Sequence, residues 1–223
     1  PACATCPFCA PSWPGWARAW PRAVPGPWTG TERMRWVRCG LLLSWLAATG
    51  TAVAAPQPLQ FDTTHSRFGF EIRTRFGQRI EGQFPRFDGW ITVLPDGRHQ
   101  VRLRMFTQYV EIPGKPRYTG WMRGEDFFDA QRHPLVEFES DPYDPDIVER
   151  GGSVEGRLTI RGISRREVLH LEQPECARPG YDCDLVSRGT VQRGRYGMDS
   201  WQFALGDRVT FILRTRLLGA SQP

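Results

Sequence analysis

From Pro58 onward, apolar side chains recur at every second position. Phe68, Phe70 and Ile72 alternate with Gly69, Glu71 and Arg73; Val101, Leu103 and Met105 alternate with Arg102 and Arg104; Val136 and Phe138 alternate with Glu137 and Glu139. The same period runs through 154–160, 168–171 and 209–217. Successive side chains of a strand point to opposite faces, so this pattern predicts half-buried antiparallel strands. Pro95-Asp96-Gly97, Gly151-Gly152 and Pro179-Gly180 supply turns between them. Many short strands at even spacing predict a sandwich or a barrel. One short helix is expected around 119–128. A barrel crossing an outer membrane would show the same period with its apolar face outward. Several segments fall short of the ~9–11 residues needed to cross, so a soluble barrel with an apolar interior is the simpler expectation.

The first quarter of the chain reads differently. Residues 1–33 carry Cys3, Cys6 and Cys9, tryptophans at 13, 16, 20 and 28, frequent prolines and almost no Val, Ile or Leu. Such a segment buries too little to order itself and reads as a disordered extension or mistranslated upstream sequence. At Met34 the pattern changes: Arg35 and Arg38 precede an apolar run from Gly40 to Ala47, followed by Ala52-Val53-Ala54. A basic start, a short apolar stretch and a small-residue end are the parts of a secretory signal peptide. The run is shorter than the ~20 residues of a membrane-spanning helix. Residues 34–54 are therefore expected to be a signal peptide, and 55–223 the barrel domain of a periplasmic or secreted protein.

Removing that leader changes the charge. Residues 1–54 hold five of the 29 basic and one of the 24 acidic side chains, leaving 24 and 23. A near-neutral domain gives no support to nucleic-acid binding, which needs a basic face on the folded part. Two cysteines remain, Cys176 and Cys183, and export makes a disulfide their expected state.

Signals for catalysis are sparse. Asp62, His65 and Ser66 invite a hydrolase reading, but neighbours on one strand alternate faces and do not line up as nucleophile, base and orienting acid. His65 is read as a polar residue of the barrel rim. His99, His133 and His170 lack paired metal spacing, Asp141, Asp144 and Asp146 lack the calcium-loop pattern, and no glycine-rich phosphate loop is present. No catalytic residue, metal or cofactor is expected.

Several blocks of residues resemble a known family. Asp62-Thr-Thr-His65-Ser66 with Phe68-Gly69-Phe70, then Gly82-Gln-Phe84 and Phe87-Asp88-Gly89, is similar to the opening of the YceI-like family. Glu125-Asp126-Phe127-Phe128-Asp129, Glu137-Phe138-Glu139-Ser140, Gly156-Arg-Leu158-Thr159-Ile160-Arg-Gly162 and Arg195-Tyr196-Gly197-Met198 continue the resemblance in order, over roughly 59–217. It implies an all-β fold: an extended, lipocalin-like, eight-stranded antiparallel barrel whose interior holds an isoprenoid or quinone-like lipid. Phe68, Phe70, Trp90, Met105, Trp121, Met122, Phe127, Phe128 and Phe138 are the candidate lining. Where the family often has Arg-Asp and a His before the Phe-Phe block, this chain has Tyr118-Thr119 and Trp121, so headgroup contacts do not carry over. The expected partners are a long-chain lipid and, transiently, a membrane or acceptor protein. The alternative is an envelope enzyme or stress-response factor that uses the barrel as a scaffold.

Overall fold

A computed structural model describes residues 58–219, in which ten strands form one antiparallel sheet. They are β1 (Leu59–Gln60), β2 (Arg67–Thr74), β3 (Arg79–Gln83), β4 (Phe87–Val93), β5 (His99–Phe106), β6 (Leu135–Ser140), β7 (Gly152–Ile160), β8 (Ile163–Leu171), β9 (Leu185–Gln192) and β10 (Leu205–Thr215). Neighbours follow the order β1-β4-β5-β6-β7-β8-β9-β10-β2-β3. The expected signal peptide and upstream segment lie outside the described residues.

The expected eight strands are corrected to ten, for local reasons. β2 pairs with β10 as far as Arg67↔Arg214. The chain then turns at 62–66, and the β1 segment takes up pairing with the tail beyond β10: the Asp62 N–H donates to the Arg216 carbonyl (2.8 Å) and the Leu218 N–H to the Gln60 carbonyl (2.9 Å). β3 and β4 are separated only by 84–86, where Pro85 has no N–H to give to a ladder. Because β1 is bonded to β4 on one side and to that tail on the other, the sheet curls back on itself.

The alternation legible in the sequence is the alternation of faces. Phe68, Phe70, Ile72, Leu103, Met105, Val136, Phe138, Phe211 and Leu213 are buried inside the curl. Outside run cross-strand ion pairs: Arg102 to Glu139 at 2.6 Å, and Arg104 to Asp88 through two parallel bonds of 2.7 Å. A membrane-spanning barrel would need an apolar band where these charges lie. Two glycines make room for rings inside. A Cβ on Gly89 would stand 2.4 Å from the Phe61 ring, and one on Gly156 would stand 2.7 Å from the ring of Phe138. Glycine in mid-strand weakens the strand but permits this close approach.

Helix α1 (Pro116–Arg123) starts and ends earlier than expected. Pro116 supplies the pre-set φ of a first helical position, and at 124–129 the chain passes into turns that bond back to Gly124. A single turn, α2 (Ile147–Arg150), follows the Asp141, Asp144 and Asp146 segment. The connections gather at two ends. The disulfide end carries 62–66, 94–98, 141–151 and 172–184; the helix end carries 75–78, 107–134 and 193–204.

Cys176 and Cys183 are bridged, with Cα atoms 6.1 Å apart. Gly180, at positive φ, turns the loop so that its N–H reaches the Cys183 carbonyl at 2.9 Å. Replacing both cysteines by serine is expected to cost about 2.5 kcal/mol in the chain-entropy model of a loop this short. Denaturant unfolding checks it, and an unchanged midpoint would mean that the bridge is dispensable.

Candidate functional site

The interior is mostly apolar and nearly filled. A cavity of about 50 Å³ near the disulfide end is bounded by Phe61, Phe68, Ile91, Tyr143 and Leu185. A second, of about 20 Å³, shares Leu103, Phe138, Leu169 and Leu213 with it. A third, also about 20 Å³, shares Val191 and Phe211 with the second and ends under Met122, Phe127 and Phe128. Shared walls make these a single line along the barrel. A cavity of roughly 150 Å³ is needed to hold a molecule the size of benzene. A chain-like guest therefore has to displace the side chains that separate the three.

The predicted lining divides into two groups. Phe68, Phe70, Met105 and Phe138 point inward, each 4% exposed or less. Met122, Phe127 and Phe128 are buried across the helix end, with Phe128 edge-on to Phe70 (5.9 Å) and Phe84 (5.5 Å). Trp90 and Trp121 are corrections. Gly89 and Ile91 take the inward positions of β4, so Trp90 faces out, with the Arg104 guanidinium 5.4 Å from its ring centroid. On α1 the adjacent Met122 turns in, and Trp121 is left 36% exposed between Tyr118 and Trp201.

His65 is solvent-facing, and its Nδ1 lies 2.7 Å from Asp62 Oδ2. That hydrogen bond holds the Asp62 carboxyl below its ordinary value. Ser66 is not part of the pair: its hydroxyl is buried, accepts the Arg216 N–H at 2.8 Å and donates to the Arg216 carbonyl at 3.2 Å. The hydroxyl thus fastens the turn to the tail of β10. A serine–histidine contact, Ser153 Oγ to His170 Nδ1 at 2.8 Å, lies exposed across β7 and β8, and among the described residues no carboxylate orients its imidazole. Among the described residues, no three His, Cys, Asp or Glu side chains converge as a metal site.

Tyr143, Glu167 and Arg193 are polar residues at the interior that were not foreseen. Tyr143 borders the first cavity, and burial pushes its hydroxyl up to about 12, so it stays neutral at any ordinary pH. Glu167 borders the second cavity, accepts the Tyr196 hydroxyl at 2.9 Å and lies 3.6 Å from Arg195. It stands where the wall is thinnest: β8 and β9 pair only at His170↔Arg188 and Leu171↔Ser187. Arg193, beside the third cavity, is 2% exposed and gives its N–H groups to the carbonyls of Met198, Ser200 (2.7 Å) and Gly206 (3.0 Å). Burial lowers its affinity for the proton, while Asp207 and Asp199 act the other way. Period-two reading has no means of finding an arginine whose partners are backbone carbonyls.

A curled antiparallel sheet around a mostly apolar interior, charged outside and closed by loops, defines a lipocalin-like barrel. The YceI-like domain model matches residues 59–217, and the chain belongs to that family. No curated protein matches the chain. Among solved structures it resembles Burkholderia cenocepacia BcnA, at 19% identity and TM-score 0.54 over 70% of this chain and 98% of that one. A polyisoprenoid binding domain from Saccharophagus degradans aligns at 14% identity and TM-score 0.52, over 72% and 98%. The Campylobacter jejuni YceI protein aligns at 18% identity and TM-score 0.51, over 64% and 87%. At these identities the likeness is one of fold.

Proposed function

We propose that this protein is a carrier that takes a long-chain isoprenoid, or a lipid with such a tail, into its barrel. The observation that carries the reading is the row of mostly apolar side chains along three cavities with shared walls, in a YceI-like domain whose structural neighbours include a polyisoprenoid binding domain. At about 0.8 kcal/mol per buried CH2, an eight-unit prenyl tail could gain on the order of 30 kcal/mol. That exceeds the practical ceiling of ~20 kcal/mol, and displacing side chains, ordering the tail and extracting it from a membrane consume the excess. Tyr143 and Glu167 supply the polar contacts near the line, in place of the headgroup residues that the family pattern has elsewhere. The Cys176–Cys183 bridge and the leader expected from the sequence support a periplasmic or secreted location.

The test is mass spectrometry of an organic extract from protein purified out of its native envelope. A stoichiometric prenyl or prenylquinone species is the expected result. Well-folded protein that yields no lipid and binds no fluorescent prenyl probe would falsify the carrier reading.

A further inference from the structure

We propose that the helix end of the barrel is a docking face for bilayers that carry anionic lipid. Four rings from two separate connections stack in a row there: Tyr118 on Trp121 (5.2 Å), Trp121 on Trp201 (5.1 Å) and Trp201 beside Phe203 (5.9 Å). Phe203 is 79% exposed, and Phe76, at the tip of the β2–β3 hairpin, is 87% exposed. Hydrogen bonds from Arg75 join the two: its backbone N–H donates to the Ala204 carbonyl (2.8 Å), and its side-chain Nε–H to that of Gln202 (3.0 Å). Single exposed apolar side chains need no explanation, but a contiguous aromatic surface marks a site of interaction.

The loop is strained to hold this surface. Trp201 has φ +65°, a region that bulky residues rarely adopt, and its Nε1–H is held by Asp126 at 3.2 Å, with the Ser200 hydroxyl on the same carboxylate at 2.7 Å. Cations interleave with the rings. The Arg117 guanidinium lies 5.0 Å from the Trp121 centroid and the Lys115 amine 5.5 Å from that of Tyr118. Among the described residues, Arg75, Lys115 and Arg117 pair with no acid, whereas Asp126 is engaged as above and Glu125 with Arg132. Tryptophan and tyrosine flanked by basic side chains are the chemistry of a membrane interface, where each basic residue strengthens attachment to an anionic surface roughly fivefold.

Other occupants fit less well. A second copy would bring these cations against one another across a two-fold axis. A sugar or a base would need free polar groups beside the rings, and the Trp201 N–H and the Ser200 hydroxyl are already held by the Asp126 carboxylate. Behind the rings, Met122, Phe127 and Phe128 close the third cavity, so the face rests on the carrier reading for its purpose, as the port through which a lipid passes.

Vesicle flotation of the purified protein tests docking independently of cargo. Wild-type protein is expected to float with phosphatidylcholine vesicles containing phosphatidylglycerol, and far less with phosphatidylcholine alone. Phe76→Ser with Phe203→Ser should weaken flotation by about 30-fold, and Lys115→Glu with Arg117→Glu should erase the preference for the anionic vesicles. All four positions are on the surface, so the variants should keep the β-sheet circular dichroism of wild type. Failure of wild type to float, equal flotation of the variants, or a dimer in solution that the serine variants break would overturn the proposal. Flotation as expected with no prenyl lipid in the extract would support docking and sink the carrier reading alone.

Discussion

Arg193→Met is expected to lower the melting temperature by about 10 °C. The guanidinium fork serves the carbonyls of Met198, Ser200 and Gly206 at once, from a side chain that is 2% exposed. Methionine matches its length but offers no donor. Each buried acceptor left without a partner costs about 1–3 kcal/mol, and Ser200 and Gly206 are half-buried, so water recovers part of the loss. A net cost of about 3–4 kcal/mol translates, at roughly 2–4 °C per kcal/mol for a domain of this size, into the shift stated. Arg193→Lys should recover little, because an ammonium on a flexible stem does not reproduce three fixed donor directions. The consequence reaches beyond stability: the Met198 and Ser200 carbonyls belong to the loop that presents Trp201 and Phe203, and Gly206 lies just beyond it in β10, so the methionine variant should also lose vesicle flotation. A shift of under about 2 °C would show that the fork is not what fixes this loop.

What could be read in the sequence followed from periodicity. β2, β5, β6, β7 and β10 were legible because one face of each is charged and the other apolar, and burial enforces that alternation. β4 was harder: Phe87-Asp-Gly-Trp-Ile reads as a strand with a hole in it, and only the Phe61 ring lying over Gly89 explains the hole. The same segment misled the reading of Trp90, since counting aromatics says nothing about which parity of the strand faces in. Trp121 failed for the corresponding reason on a helix, where neighbours lie ~100° apart and Met122 took the inward direction. The breaks at 62–66 and 84–86, which turn eight expected strands into ten, depend on pairing across the whole chain. Arg193 and Glu167 answer to loops and to a short β8–β9 ladder, neither of which has a local signature. The YceI-like blocks identified the fold as a whole, but they do not specify the direction of each side chain.

Phe138→Arg is expected to reduce prenyl-probe binding below detection. Phe138 borders both the first and the second cavity, and its ring packs against Gly156, so anything moving along the line has to pass it. A charge there meets apolar walls and costs several kcal/mol unless paired. Glu167, the carboxylate that borders the second cavity with Phe138, is already bonded to Tyr196 and lies near Arg195. Because the arginine variant risks unfolding, Phe138→Trp is the second arm: it adds volume without charge at about 1–3 kcal/mol of overpacking, and narrows the line at the same point. Both proteins must keep their β-sheet circular dichroism. The tryptophan variant should then bind the probe about 10-fold or more weakly, in proportion to the strain the guest has to relieve. His65→Gln is the contrast, since its side chain is 71% exposed and bonded only within its own turn; it should stay within about twofold of wild type. Folded Phe138 variants that bind like wild type would place the lipid elsewhere. Loss of activity confined to the His65 variant would point instead to chemistry at the rim, because nothing else about that residue reaches the barrel interior.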